Sequence, residues 1–201
     1  NGLSPVAERL GCEFSSERED LSYELALPPN WEAYLGLLKG PERHEIRRKL
    51  RRLEEAARVE FRKVEDPMEV RRSMDTFLGL FGANRSDKAA FMTSLRARFF
   101  RALAEDMAES GALKIFFLEL DAHPAAAVIC FHDHSTFYLY NNGYDSRFRS
   151  LSVGFLSKVL SIREAIREGK KRFDFLKGVE AYKRHLGGKP VPLYRCRLRI
   201  V

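Results

Sequence analysis

The chain has 201 residues, 45% of them hydrophobic, which is enough apolar material for a full core and excludes a disordered protein. With 35 Lys and Arg against 28 Asp and Glu, its formal charge of +7 favours an anionic partner such as a nucleotide, nucleic acid or acidic lipid surface, and is silent on any reaction. Cys12, Cys130 and Cys196 are odd in number and far apart, which argues against a disulfide framework or zinc knuckle and makes a reducing cytoplasm the expected compartment.

Asn1 rather than Met stands first, pointing to an internal or processed fragment, and the absence of a long apolar run predicts no membrane span. Residues 1–20 lack clear periodicity, and LSYELAL before Pro28-Pro29 reads as a short strand ending at a turn. Asn30 is a suitable N-cap for a short helix, WEAYLGLLKG, that stops at Gly40-Pro41. A second helix follows over 42–57 with the apolar stripe Ile46, Leu50, Leu53 and Ala57. Its other face carries Arg43, Arg47, Arg48, Lys49, Arg51 and Arg52, either a solvated face or a surface for RNA or phosphate.

VEFRKVE (59–65) is the first core strand, and Pro67 opens a helix with Val70, Met74, Phe77, Leu78 and Phe81 on one side. Another helix is predicted over 88–109, buried through Phe91, Leu95, Phe99, Leu103 and Met107. Strands at 113–120, 125–131 and 137–141 have short links, which imply an antiparallel meander. A helix over 152–168, with Ser152 as N-cap and a stop at Gly169, crosses over to a strand at 172–176. That crossover permits parallel pairing with the strand ending at Asn141. A brief helix at 180–185 precedes a last strand in which Tyr194, Cys196, Leu198 and Ile200 alternate with Arg195, Arg197 and Arg199.

The fold class is therefore α/β, an α+β mixed sheet with helices on it. Where two central strands part, the exposed amides and carbonyls of the first can receive an extended ligand. The following helix, whose N-terminus faces the turn with Arg147 and Arg149, would bind that ligand's phosphates.

Gly143-Tyr144-Asp145, Ser152-Val153-Gly154, Phe173-Asp174-Phe175, then Gly178 with Glu180, Tyr182 and Lys183 follow one another in fixed order, after a basic helix ending Arg51-Arg52-Leu53-Glu54. This series resembles the GNAT acyltransferase superfamily, within it the branch of CelD-like exopolysaccharide proteins and FemABX aminoacyltransferases, over residues 31–199. The resemblance implies a GNAT acyl-CoA N-acyltransferase fold over 58–201, with 1–57 as an N-terminal extension or the end of a preceding GNAT-like unit. It implies transfer of an acyl group from acyl-CoA (acetyl-CoA), without a metal, to the amine of a small molecule or sugar in cell-envelope or exopolysaccharide biosynthesis. Aminoacyl-tRNA is the alternative donor, and a non-catalytic GNAT-fold module in polysaccharide assembly is the alternative outside enzymes. The donor-binding positions it implies are Arg149, Ser152, Val153 and Gly154, with Asn141 at the strand end; Ser152 stands where the general phosphate turn has its first Gly, and Val153 replaces the branch's Pro.

Such a transfer needs a group that takes a proton from the amine and groups that stabilise a tetrahedral oxyanion. Asp174, mid-strand between two Phe residues, is the first candidate for binding or deprotonating the acceptor; the other reading is an acceptor of hydrogen bonds from neighbouring amides. Lys183 matches the lysine of the FemABX Phe-Lys motif, which implies a cation facing donor phosphate or oxyanion, against a plain surface lysine. Tyr182 corresponds to a tyrosine that protonates the leaving thiolate in many GNAT enzymes, or packs with its hydroxyl in solvent. Glu180 either orients Lys183 or the acceptor, or is simply exposed. His132, Asp133 and His134 have poor spacing for a closed metal site, although an imidazole there could act as base. Glu119 is either a pocket carboxylate or an edge residue.

Overall fold

The computed structural model describes residues 4–83 and 92–200. In chain order the elements are α1 (Ser4–Arg9), β1 (Cys12–Ala26), α2 (Trp31–Leu37), α3 (Gly40–Ala56), β2 (Val59–Val64), α4 (Pro67–Ala83) and α5 (Ser94–Glu109). β3 (Leu113–Leu120), β4 (His123–His132), β5 (Thr136–Tyr144), a short 3-10 segment (Ser146–Leu151), α6 (Val153–Arg167), β6 (Arg172–Lys177), α7 (Ala181–His185) and β7 (Lys189–Ile200) follow. The strands form one mixed sheet in the order β2-β3-β4-β5-β6-β1-β7, in which, among the described residues, only β5 and β6 are parallel. The α/β class with its antiparallel meander and one crossover is thus as expected.

β3 is buried at every position, with Phe116, Leu118 and Leu120 in one core and Ile115 and Phe117 in the other. A strand covered on both faces reads as a near-continuous apolar run, and LKIFFLEL does so apart from Lys114 and Glu119, which are ion-paired near its two ends. The first core receives Tyr34 and Leu35 of α2, Ile46 and Leu53 of α3 and the apolar side of α6; the second receives α4 and α5. α2 begins where expected, with the Asn30 side chain accepting the Ala33 amide at 2.8 Å. The basic face of α3 is partly ion-paired, Arg47 with Glu32 at 2.8 Å and Lys49 with Glu45 at 2.8 Å. Glu119 is an ion partner within the sheet, bonded to Arg62 at 3.0 Å.

Three expectations are corrected. The first strand is not confined to LSYELAL: β1 starts at Cys12 and pairs with both β6 and β7, so the sheet crosses the boundary placed between residues 57 and 58. Its first half makes a two-stranded ribbon with β7, where Tyr194 and Leu198 remain 54% and 57% exposed, and with no residue of 12–19 fully buried little enforces an alternation there. In α5 the buried side is Phe100, Ala104 and Ala108, whereas Leu95 and Phe99 are 66% and 57% exposed; Phe91 lies outside the described residues. The small alanines let the helix approach α4, and Phe100 meets Phe81 and Tyr140, so the contact stripe is rotated by one residue from the bulkier one. The helix also starts at Ser94, capped by Thr93, whose hydroxyl accepts the Arg96 amide at 3.3 Å.

Candidate active site

β5 and β6 pair only from Thr136 with Arg172 to Tyr138 with Asp174, yet β5 continues to Tyr144. Beyond that point the two strands part, and a cavity of about 500 Å3 opens over the N-terminus of α6. Asn142 and Tyr144 of β5 line one side, Arg149 and α6 another, and Lys49, Glu180 and Tyr182 complete it. A bulge in β5 decides which asparagine takes part. Leu139 pairs with Cys130 but Asn141 with Ile129, so Tyr140 is the extra residue and the alternation slips by one. Asn141 consequently lies on the face of Ile129, the α4 side, and accepts the Asn142 amide at 2.9 Å; Asn142 lines the cavity in the place the sequence reading gave to Asn141.

The turn before α6 also differs from expectation in its chemistry. Ser152 does not cap the helix with its hydroxyl; it sits at φ 58°, ψ 30° with no side-chain cap bond. This is the left-handed conformation that glycine adopts most readily, so the serine preserves the turn that its substitution for Gly put in question. Gly154 is needed for space: a β-carbon there would lie 2.5 Å from Cδ1 of Tyr144. Val153, fully buried, and Gly154 open α6; the Phe155 and Leu156 amides donate to the Ser152 carbonyl at 3.0 and 2.9 Å, and the positive end of the helix ahead of them favours an anion. Of the two arginines in the preceding turn only Arg149 lines the cavity; Arg147 turns back on Asp145 at 2.6 Å.

Lys158, which the sequence reading missed, is a lysine inside a helix whose neighbouring positions are almost all apolar and buried. It is 7% exposed, donates to the Gly154 carbonyl at 2.5 Å, lies 5.0 Å from the centre of the Tyr182 ring and lines the cavity. The signal available was a charged residue in the apolar run of α6, one turn after Gly154. Lys49 of α3, flagged only as part of a basic face, lies 4.6 Å from the Phe155 ring and lines the same cavity.

Of the four proposed catalytic residues, the structure brings Glu180 and Tyr182 to the cavity. The Glu180 side chain is 58% exposed; its partial desolvation raises the carboxyl, but a backbone hydrogen bond and the charges of Lys183 and Lys158 outweigh it and hold the group below the usual carboxylate value. Burial, reinforced by the Glu180 charge, pushes the Tyr182 hydroxyl well above the ordinary phenol range, which keeps its proton in place at neutral pH. Asp174 and Lys183 are elsewhere. Phe173 and Phe175 fill the first core, so Asp174 points to the opposite face, where its Oδ1 accepts the Leu176 amide at 2.8 Å and the Ser22 hydroxyl at 3.0 Å. Lys183 is 2% exposed, and its ammonium donates to the carbonyls of Leu176, Lys177 and Gly178 rather than facing the cavity. Asp133 is likewise occupied by its hairpin, accepting the amides of Ser135 and Thr136 at 2.7 Å each and the Tyr138 hydroxyl at 2.8 Å.

A mixed sheet whose parallel pair splits above the N-terminus of a crossover helix, with an anion-attracting turn at the split, is the acyltransferase class of fold that the motif series led us to expect. Residues 42–184 match the family of acetyltransferase (GNAT) domains, and the chain belongs to it. Among solved structures it is similar in fold to FemX (11% identity, TM-score 0.67, covering 91% of this chain and 64% of that one). It is also similar to a conserved protein of unknown function from Bacteroides thetaiotaomicron VPI-5482 (14%, 0.63, 94% and 62%). A third is L-PGS from Bacillus licheniformis (10%, 0.62, 100% and 65%). The chain spans less than two thirds of the length of each. A search of curated protein sequences gives no match.

Proposed function

We propose that the chain transfers an acyl group from a phosphate-bearing activated donor, acyl-CoA in the first instance, to an amine. The observation that carries this reading is the composition of one cavity: Lys49, Arg149 and Lys158 stand with the first turn of α6 on its donor side, and Glu180 is its carboxylate. Donor phosphate would meet Arg149, Lys49 and the α6 amides, while the acyl carbon would lie toward Glu180 and Tyr182. The amine nitrogen attacks the acyl carbon and passes a proton to Glu180. The carbonyl oxygen becomes an oxyanion beside the Lys158 ammonium, and as the bond to the leaving group breaks Tyr182 supplies the proton that the leaving atom takes up. The shifts leave the carboxyl ionised and the phenol protonated at neutral pH, the forms those steps require, while weakening the one as a base and the other as an acid. By the branch resemblance, the acceptor is an amino sugar or similar amine in envelope or exopolysaccharide synthesis.

A second reading, with aminoacyl-tRNA as donor, is favoured by the position of Lys49. It links the cavity to α3, whose exposed Arg48 and Arg52 could carry a polyanion onward over the surface. Calorimetry with acetyl-CoA, longer acyl-CoAs and charged tRNA separates the two. Heat from a CoA ester that is lost in Arg149→Ala supports the first; salt-sensitive binding of tRNA alone supports the second; no heat from any donor would leave a non-catalytic GNAT-fold module.

A further inference from the structure

Asp174 and Lys183 grip one short stretch of chain from opposite sides. Between them residues 175–180 leave β6 for α7 through two left-handed positions, Leu176 at φ 58° and Gly178 at φ 118°. Asp174 holds the amide side: its Oδ1 accepts the Leu176 N-H at 2.8 Å and is itself steadied by the Ser22 hydroxyl of β1 at 3.0 Å. Lys183 holds the carbonyl side, donating to Leu176, Lys177 and Gly178 at 2.9, 2.8 and 3.3 Å. A leucine in the left-handed region persists only where its surroundings over-determine it, and here both of its peptide groups are tied.

The same ammonium lies 3.0 Å from Glu180 Oε2. Three N-H donors are thus shared among four acceptors in a side chain 2% exposed, which leaves none for a ligand. Gly178 clears the space, since a β-carbon there would stand 2.6 Å from Glu180 Oε2.

We propose that Asp174 and Lys183 are positioning residues, a two-sided clamp on the 175–180 loop that fixes the place and the charge partner of the Glu180 carboxylate at the cavity. The proposal rests on the reading of Glu180 as the base. The charged groups around Glu180 are Lys183 of α7 and Lys158 of α6, with Lys49 of α3 and Arg149 lining the same cavity.

A carbon-13 NMR titration of labelled glutamate carboxyls, with Glu180→Gln to assign the signal, reads the clamp without any substrate. Lys183→Met should move the Glu180 midpoint up by about 1 pH unit, as expected when a cation within a few ångströms is lost. In steady-state assays the same variant should lose about tenfold or more in kcat while the donor KM stays within about twofold, and Asp174→Ala should do likewise. An unmoved midpoint in Lys183→Met, or lost donor binding with kcat intact, would overturn the clamp. Should Lys183→Met fail to fold, Ser22→Ala tests the clamp from its other side, because it removes the hydroxyl that steadies Asp174 and leaves the three carbonyl bonds of Lys183 in place; the Glu180 midpoint should move and kcat should fall, and no change in either would overturn the clamp. Absence of turnover in the unaltered protein with every donor would remove the acyltransferase reading instead, and the titration would still decide the clamp.

Discussion

The ring of Tyr144 lies so close on Gly154 that a single added carbon would stand 2.5 Å from its Cδ1. Tyr144 ends β5 and Gly154 opens α6, so this contact joins the strand that parts from β6 to the helix turn that attracts the anion. The width of the cavity is set by how closely those two elements approach.

Gly154→Ala forces the ring outward and narrows the space above the first turn of α6. We expect donor affinity to fall by about tenfold and stability to fall by about 1–3 kcal/mol, the usual range for overpacking a close contact. Calorimetry and thermal melting measure the two; an unchanged affinity would show that Tyr144 is not part of the donor wall.

Ser152→Gly should act in the opposite sense. The left-handed backbone at Ser152 carries a steric penalty of about 1 kcal/mol that glycine avoids, so the melting temperature should rise and donor affinity should hold or improve. A fall in affinity would mean that the Ser152 hydroxyl itself touches the donor.

The pH profile of kcat/KM should report Glu180. Its carboxyl is held below the ordinary carboxylate value although partial burial works to raise it, so it stays ionised at neutral pH, and once the profile is corrected for protonation of the acceptor amine the enzyme's own acid limb should fall below 4.5. Lys158→Met removes one of the charges that lower it, and the acid limb should shift upward. A limb that ignores the substitution would place Lys158 outside the electrostatic reach of the base.

At the far end of α6, Lys114 lies 2.7 Å from Glu65 and 3.1 Å from Glu168, and Lys63 lies 2.9 Å from Glu65. The hydrogen bonds of Lys114 and then Lys63 hold the Glu65 carboxyl at about 2 against an ordinary 4.5. A depressed folded value means that the stabilisation is complete above 4.5 and is lost as the pH falls from 4.5 toward 2. Lys114→Met should therefore lower the melting temperature most at neutral pH, and its difference from the unaltered protein should narrow through that acid window. A constant difference would assign the effect of Lys114 to packing alone.

The elements that build the cavity were legible because their signals are local. Gly169 ends α6, short links force the meander, and a crossover helix of this length permits the parallel pairing of β5 with β6. The motif series runs along this cavity, which Arg149, Gly154, Glu180 and Tyr182 line. What the sequence hid depends on register and on three-dimensional contacts. One extra residue at Tyr140 exchanges Asn141 for Asn142, and alternation alone cannot reveal a bulge. Lys183 reads like a reactive lysine because nothing in its neighbours announces that three carbonyls of the preceding loop will surround it. Phe99 outbulks Ala104, yet the alanine is what allows α5 to approach its partner.

The place of β1 bears on how the chain folds. β1 lies between the last two strands of the sheet, and its Ser22 hydroxyl meets Asp174 only 152 residues later. Contacts so distant in sequence must repay the entropy of closing a long loop before they contribute stability, and they slow folding. The meander β3-β4-β5, whose pairings are local, can form early. Insertion of β1 beside β6, which draws Asp174 into its bond with Ser22, is then expected to be a late event, so the last part of the sheet to close is the part that steadies the Glu180 loop.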